Sequence, residues 1–368
     1  MSTKFSIIIP CYNQAKFIHD CYVSIISQNY YSWEIIFVND GSTDDTLNIL
    51  NRIQLFDKKV VVLNKENGGL SSARNAGIQA ATGNFIIFLD CDDMLLPNCL
   101  SSIYKSIEKK QKLDIIQVGY RHIDELGMST YTNVLPAIKE KMLPTILFNN
   151  WGPVHSFCIS KNLVDKIGFF DENLKSCEDW DYWIRSSFVA DEIDTIHIAL
   201  VDYRMNSNSM SRDSFTLYHS LKEVALRGKE EFKKHQTNVL DIEKQFKNSL
   251  KQKLALCLGV GILQNKVKET VELFLLESKH HHLEFKPKDL KLMSSYLTFR
   301  YRTSEMDVRK VLNEYKPLYI TFFKTLGYNR REIGKSTWII FSKHYHLLYK
   351  KKYGTLGSIF HKLKSKLI

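Results

Sequence analysis

At 368 residues the chain is long enough for two domains, and its apolar (44%) and charged (25%) shares are those of an ordinary folded protein rather than a disordered or fibrous one. The net charge of +11 is unevenly spread: residues 1–211 hold 19 Lys+Arg against 25 Asp+Glu, whereas residues 212–368 hold 32 against 15. Seven cysteines, with no CxxC pair and no zinc-type Cys/His spacing, point away from a disulfide framework or zinc module and read as reduced core thiols.

In chain order, the first ~120 residues alternate short β-branched or aromatic runs with amphipathic stretches, the pattern of a parallel α/β sheet. Strands are expected at Phe5–Ile9, Glu34–Val38, Val60–Leu63, Phe85–Leu89 and Ile115–Val118. Their continuous apolar character suits strands buried on both faces. Apolar spacing predicts helices over Ala15–Gln28, Thr43–Phe56 and Leu70–Ala81, with Ser42 and the acids Asp44 and Asp45 marking the start of the second. From ~120 to 211 the pattern turns to hairpin-like and mixed elements: Gly127 suits a turn, Trp151-Gly152-Pro153 breaks the chain and Glu178–Val189 reads as a helix. A helical region is expected from ~215 to 330, interrupted near Pro287 and Pro317. The domain reading is therefore 1–211, 212–330 and a basic amphipathic tail, 331–368.

In an open sheet of this kind ligands bind at the carboxyl ends of strands. Those ends carry Pro10-Cys11-Tyr12-Asn13-Gln14, then Asn39-Asp40-Gly41-Ser42, then Asn67-Gly68-Gly69 leading to Arg74, then Asp90-Cys91-Asp92-Asp93. Three carboxylates within four residues repel one another, and a cation relieves that repulsion. Hard oxygen ligands beside a phosphate-bearing substrate suit Mg2+ or Mn2+. Taken alone the run also reads as an acidic loop capping the helix after Pro97; its place directly after an apolar strand favours function. A carboxylate at Asp40 can accept from a base imide and a guanidinium at Arg74 can donate to a base carbonyl, groups that uracil offers side by side. Singly, Asp40 also reads as a turn residue and Arg74 as a helix-surface charge. In Glu178-Asp179-Trp180-Asp181-Tyr182-Trp183, one carboxylate suits proton removal from an attacking hydroxyl, with aromatic rings for a sugar's apolar face. The acids equally suit a helix's first turn, and the tryptophans a core face.

Together these residues resemble the family-2 inverting glycosyltransferases of GT-A fold, of the type that serves bacterial polysaccharide synthesis. The signatures run Ser6-Ile7-Ile8-Ile9-Pro10-Cys11-Tyr12-Asn13, Phe37-Val38-Asn39-Asp40-Gly41-Ser42-Thr43-Asp44, Glu66-Asn67-Gly68-Gly69-Leu70-Ser71-Ser72-Ala73-Arg74-Asn75, Phe88-Leu89-Asp90-Cys91-Asp92-Asp93 and Glu178-Asp179. The resemblance covers about residues 4–211. It implies an α/β fold with a Rossmann-like mixed sheet flanked by helices, followed by a mainly helical C-terminal region. It also implies that Pro10, Tyr12, Asn13, Asp40, Arg74 and Asp90 line the nucleotide site, with Asp40 and Arg74 at the uracil and Asp90 at the ribose. Asp92 would bind the metal, Mn2+ or Mg2+. Asp179 would be the catalytic base, supported by Glu178. Where related enzymes often carry Tyr-Arg-x-His, this chain has Tyr203-Arg204-Met205-Asn206, which implies weaker metal binding and leaves Tyr203 and Arg204 as diphosphate-side candidates.

The implied donor is a nucleotide-diphospho-sugar, UDP-linked, and the acceptor a saccharide or lipid-linked saccharide. The pyrophosphorylase and dehydrogenase alternatives lack their Gly-rich loop after the first strand. The remaining alternative is a catalytically silent scaffold binding membrane or partner proteins. Leu254 to Leu263, the longest apolar run at ten residues, falls short of the ~20 that span a bilayer, and Phe5 begins a strand without room for a signal peptide. The expected location is therefore cytoplasmic, peripheral on the inner face of the plasma membrane if the tail anchors there. Leu356, Phe360, Leu363 and Leu367 recur at helical spacing among Lys362, Lys364 and Lys366, which suits an anionic leaflet. The helical region offers a surface for a homodimer, and no nucleic-acid module is recognisable. His280-His281-His282 diverge too far around a helix to share one ion, and read as a solvated stretch.

Overall fold

The computed structural model describes residues 3–110, 112–125, 127–133, 143, 145–205, 213–235, 239–285, 289, 293 and 314–341. Asn206 and the tail beyond residue 341 lie outside these. The chain divides into two compact units, Met1–Ser209 and Met210–Ile368.

The first unit is built on a mixed sheet. Its strands are β1 (Phe5–Cys11), β2 (Trp33–Asp40), β3 (Val60–Lys65), β4 (Phe85–Phe88), β5 (Met94–Leu95), β6 (Leu113–Ile123), β7 (Ser129–Asn133), β8 (Phe157–Ser160) and β9 (Glu192–Arg204). The spatial order is β3-β2-β1-β4-β8-β6-β9-β5, with β7 paired to β6. β3, β2, β1 and β4 run parallel, as the alternating pattern predicts. β8 then enters antiparallel between β4 and β6, and β6 pairs parallel with β9. β8 is only four residues long and α5 (Lys161–Ile167) follows it directly, so the strand gives little periodic signal of its own.

β1 and β2 are buried at every position, the expectation for central strands covered on both faces. Of the helices α1 (Ile18–Ile26), α2 (Thr46–Phe56), α3 (Leu70–Ala80) and α4 (Cys99–Lys109), α3 packs on β1 and β2, α2 on β2 and β3, α1 against β5, and α4 against β6 and β9. A Cβ on Gly77 of α3 would come within 2.3 Å of Ile8 Cγ2, so only glycine lets this helix lie so close to β1. The seven cysteines are free, and all but Cys177 are buried.

Ser42 does not cap α2 as the sequence suggests. Its hydroxyl instead accepts from Asn13 N at 3.0 Å, while Asn13 Oδ1 accepts from Thr43 N at 2.8 Å. The amides ahead of the helix are thus satisfied from across the sheet rather than from within the turn.

The second unit is helical: α7 (Ser214–His235), α8 (Val239–Leu263), α9 (Val267–His280) and α10 (Lys316–Thr325), with further helix at 330–341. Buried Glu277 joins α9 to α7, accepting from Tyr218 Oη at 2.7 Å and Lys222 Nζ at 2.8 Å. His281 lies against this carboxylate, 3.5 Å away, and is therefore packed rather than solvated. Among the described residues no helix is long and apolar enough to cross a membrane.

Candidate active site

The carboxyl ends of β1, β2 and β4 share one rim of the sheet, with the loop after β3 beside them. At the end of β1, Pro10 is buried and Tyr12 is 50% exposed. Asn13 adopts a left-handed φ of 53°, which turns its side chain onto the amides before α2. Tyr12 and Asn13 are both exposed, but the Asn13 side-chain oxygen is engaged with the amides before α2.

Asp40 ends β2 and is 3% exposed. Its Oδ1 accepts from Lys65 Nζ at 2.7 Å and Gly68 N at 2.9 Å, and its Oδ2 accepts from Gly69 N at 2.8 Å. The carboxylate thus clasps the loop between β3 and α3. Gly69, at φ 88°, gives that loop the backbone it needs to enter the helix.

Arg74 has partners other than those the sequence suggests. Its guanidinium is fully buried rather than on a helix surface, donating from Nη1 to Glu178 Oε1 at 2.7 Å and from Nη2 to Asp90 Oδ1 at 2.8 Å. Burial opposes its charge, but Asp90 and Glu178 outweigh that cost and hold it protonated. One side chain therefore ties the end of β4 to the first turn of α6 (Glu178–Val189).

The acidic run after β4 is already partly neutralised by the protein. Asp93 is wholly buried, with Oδ2 2.7 Å from His155 Nδ1, and its Oδ1 accepts from Arg204 N at 2.8 Å. The Asp93–His155 approach has ion-pair distance without hydrogen-bond alignment, and His155 Nε2 is buried with no hydrogen-bond partner among the described residues. Burial pushes the Asp93 carboxyl up against the pull of His155. For the imidazole, burial acts downward, but Asp93 prevails and raises its pKa. Arg204 is 4% exposed; its Nε donates to Asp92 O at 2.9 Å and its Nη1 to Glu125 O at 2.9 Å. This guanidinium braces the acidic loop through backbone carbonyls, and its Nη2 lies 3.6 Å from Asp20 Oδ2. Asp90 and Asp92 stay partly exposed.

Carboxylate repulsion therefore demands a metal less strongly than the sequence suggests, because Arg74 and His155 supply positive charge. The donor set still fits a hard cation: carboxylate oxygens of Asp90 and Asp93 and a ring nitrogen of His155 lie within 4.8 Å of one another. Asp90 also keeps Oδ2 outside its pair with Arg74.

Asp179 is the second residue of α6, which starts after Cys177, whose left-handed φ of 63° is a strained conformation for a side-chain-bearing residue. The carboxyl keeps partial contact with solvent; Oδ1 accepts from Trp180 N at 2.6 Å and Oδ2 from Asn150 Nδ2 at 3.2 Å. Burial, and then the neighbouring Glu178 charge, push its pKa up to about 7 against the pull of Arg74. Trp180 and Trp183 are both 0% exposed, and the Trp180 indole donates to Ile146 O at 2.6 Å. The rings are core, not a sugar platform.

Lys65, Asn150 and His155 escape the sequence reading. Lys65 stands one residue before a signature, at a strand end where ligand-binding groups are to be expected. His155 and Asn150 sit in an aperiodic stretch that carries no spacing signal.

A helix-flanked mixed sheet with acid-bearing loops along one rim defines the GT-A class of fold. The model of the family described as "Glycosyl transferase family 2" matches residues 6–168. Glycosyltransferase GlyG of Streptococcus pneumoniae serotype 4 is 30% identical over 232 residues, covering 59% of this chain and 76% of GlyG. Glycosyltransferase GlyA of the same organism is 29% identical over 226 residues, covering 57% of this chain but only 32% of GlyA. The chain belongs to glycosyl transferase family 2. Staphylococcus aureus TarS 1-349 in complex with UDP-GlcNAc superposes with a TM-score of 0.54 at 20% identity, covering 92% of this chain and 91% of TarS 1-349. The mannosyltransferase PcManGT of Pyrobaculum calidifontis, in complex with GDP-Man and Mn2+, gives 0.51 at 13% identity over 92% and 86%. These likenesses show the fold alone.

Proposed function

We propose that the chain moves a sugar from a nucleotide-diphospho-sugar, UDP-linked, to a saccharide or lipid-linked saccharide, inverting the anomeric centre in one displacement. The observation that carries this reading is Asp179: its pKa is raised to about 7, and Arg74 ties its helix to the acidic loop after β4. A base with a pKa near neutrality combines a usable deprotonated fraction with real proton affinity. In the reaction Asp179 takes the proton of the acceptor hydroxyl as that oxygen attacks the anomeric carbon, and the nucleoside diphosphate departs from the opposite face. An α-linked donor then yields a β-linked product.

Glu178 and Arg74 orient the base, and Asn150 holds its second oxygen. Pro10, Tyr12, Asn13 and Asp40 frame the nucleotide, Tyr12 by direct contact and Asn13 by fixing the loop. A divalent cation, when bound, neutralises charge on the departing diphosphate. Asp92, the ligand the family resemblance implies, would hold it with the remaining oxygen of Asp90, and Asp93 and His155 lie near enough to Asp90 to complete the donor set. The UDP-GlcNAc complex of TarS 1-349 supports the choice of donor class, and the Mn2+ complex of PcManGT the choice of cation. A cytoplasmic, membrane-peripheral setting for surface polysaccharide synthesis rests on the lysine-flanked apolar stripe between Leu356 and Leu367.

The test is a panel of nucleotide sugars with Mn2+, following released nucleoside diphosphate. Turnover of one donor with an inverted product supports the reading, and binding of no nucleotide sugar rejects it. Asp179→Asn should cut turnover by about 10²–10⁴-fold, the range for a positioned general base, while leaving UDP affinity nearly unchanged. Equal loss of both would make Asp179 structural.

A further inference from the structure

Lys65 closes β3 at the residue paired across the parallel ladder with Asp40, the last residue of β2. The two side chains meet at the strand ends, with Nζ 2.7 Å from Oδ1. An ammonium has three N–H donors. Two are spent, on Asp40 Oδ1 and on Glu66 O at 2.7 Å. The side chain is 27% exposed, against 4% for Asp40. Gly68 keeps the amine's flank clear, since a Cβ there would lie 2.8 Å from Nζ. Asp40 has its own spare capacity: Oδ2 accepts one hydrogen bond, from Gly69 N, and has a second lone pair. Arg74, the donor the sequence places beside Asp40, is buried and committed to Glu178 and Asp90.

We propose that Lys65 is the donor that reads a carbonyl of the nucleotide base, with Asp40 beside it as the acceptor of the base imide N–H. The inference rests on the reading that this rim binds a uridine diphosphate. Lys65 supplies the third N–H to a uracil carbonyl, and its bond to Asp40 fixes the amine in place. Arg74 acts at a distance from the base, by holding the acidic loop to α6.

Calorimetry with UDP, 2-thio-UDP and 4-thio-UDP in the presence of Mn2+ tests this on the unaltered protein, because sulfur is a poor acceptor for an ammonium. Sulfur at one of the two carbonyls should weaken binding about tenfold. Lys65→Met should weaken UDP by a similar factor and erase the difference between UDP and that thio analogue. Equal binding of all three ligands by the unaltered protein overturns the proposal. So does a Lys65→Met protein that retains the full sulfur penalty, since Lys65 would then be only a counter-ion for Asp40. Lys65→Arg keeps a charge beside Asp40 but moves the donor, and serves if Lys65→Met does not fold; a changed sulfur penalty there supports the same assignment, and an unchanged penalty with unchanged UDP affinity overturns it. Failure of the unaltered protein to bind UDP would reject the nucleotide reading itself, a result distinct from UDP binding without a sulfur penalty.

Discussion

Replacing Arg74 by methionine removes the cation between two carboxylates and leaves an apolar chain of similar length. Glu178, whose side chain is 9% exposed, is left buried and charged, whereas Asp90, at 32%, regains solvent. Removing one partner of a buried ion pair costs about 3–5 kcal/mol, and nearly all of it falls here on Glu178. For a unit of this size each kcal/mol moves the midpoint by ~2–4 °C, so Arg74→Met should lower it by roughly 6–20 °C. Four of the five tryptophans (Trp33, Trp151, Trp180 and Trp183) lie in the first unit, so intrinsic fluorescence on heating reports its unfolding. Adding Glu178→Gln to Arg74→Met removes the stranded charge and should restore more than half of the loss. A shift below about 2 °C for the single variant, or a double variant no better than the single, would refute the account of Arg74 as a buried tie.

The pH profile follows from Asp179. The base works only when deprotonated, so kcat/KM should climb with pH through about 7 and level off above it. Glu178→Gln removes the negative neighbour that raises the Asp179 pKa, so the acid limb should move to lower pH; an unmoved limb contradicts the electrostatic assignment. Asp92→Asn should raise the Mn2+ concentration for half-maximal turnover at least tenfold, and chelation should abolish turnover in the unaltered protein; indifference to both would exclude Asp92 as the principal ligand. Gly77→Ala forces a methyl to within 2.3 Å of Ile8 Cγ2 and should destabilise the first unit by about 1–3 kcal/mol, read by urea unfolding.

The parallel half of the sheet is legible in the sequence because its strands are long apolar runs separated by helices of clear period. Glu178–Val189 coincides with the expected helix, and α3 differs from its expectation by one residue. At the amino ends, α1 and α2 begin three residues later than expected, where Asn13 and the turn before Thr46 replace the first helical turn. β8 goes unseen because four residues carry no usable period. The reading of single residues is limited by the same physics. Composition marks Asp40, Arg74 and Asp90 as ligand-binding types, but their pairings are set by loop geometry. The structure consequently spends Arg74 on two carboxylates and leaves Lys65 as the cation beside Asp40.

Strand polarity has a consequence for how the rim can vary. Because β8 runs against β4, its amino end reaches the rim to which β4 delivers its carboxyl end, and His155 arrives there ahead of its strand rather than after it. Gaining or losing one residue between Phe157 and Ser160 would slide the ladder by about 3.3 Å. His155 would travel with it, parting from Asp93 although neither residue had changed. Tolerance to insertion should therefore drop sharply on crossing from the loop before Pro153 into β8, a boundary set by pairing geometry rather than by any catalytic group.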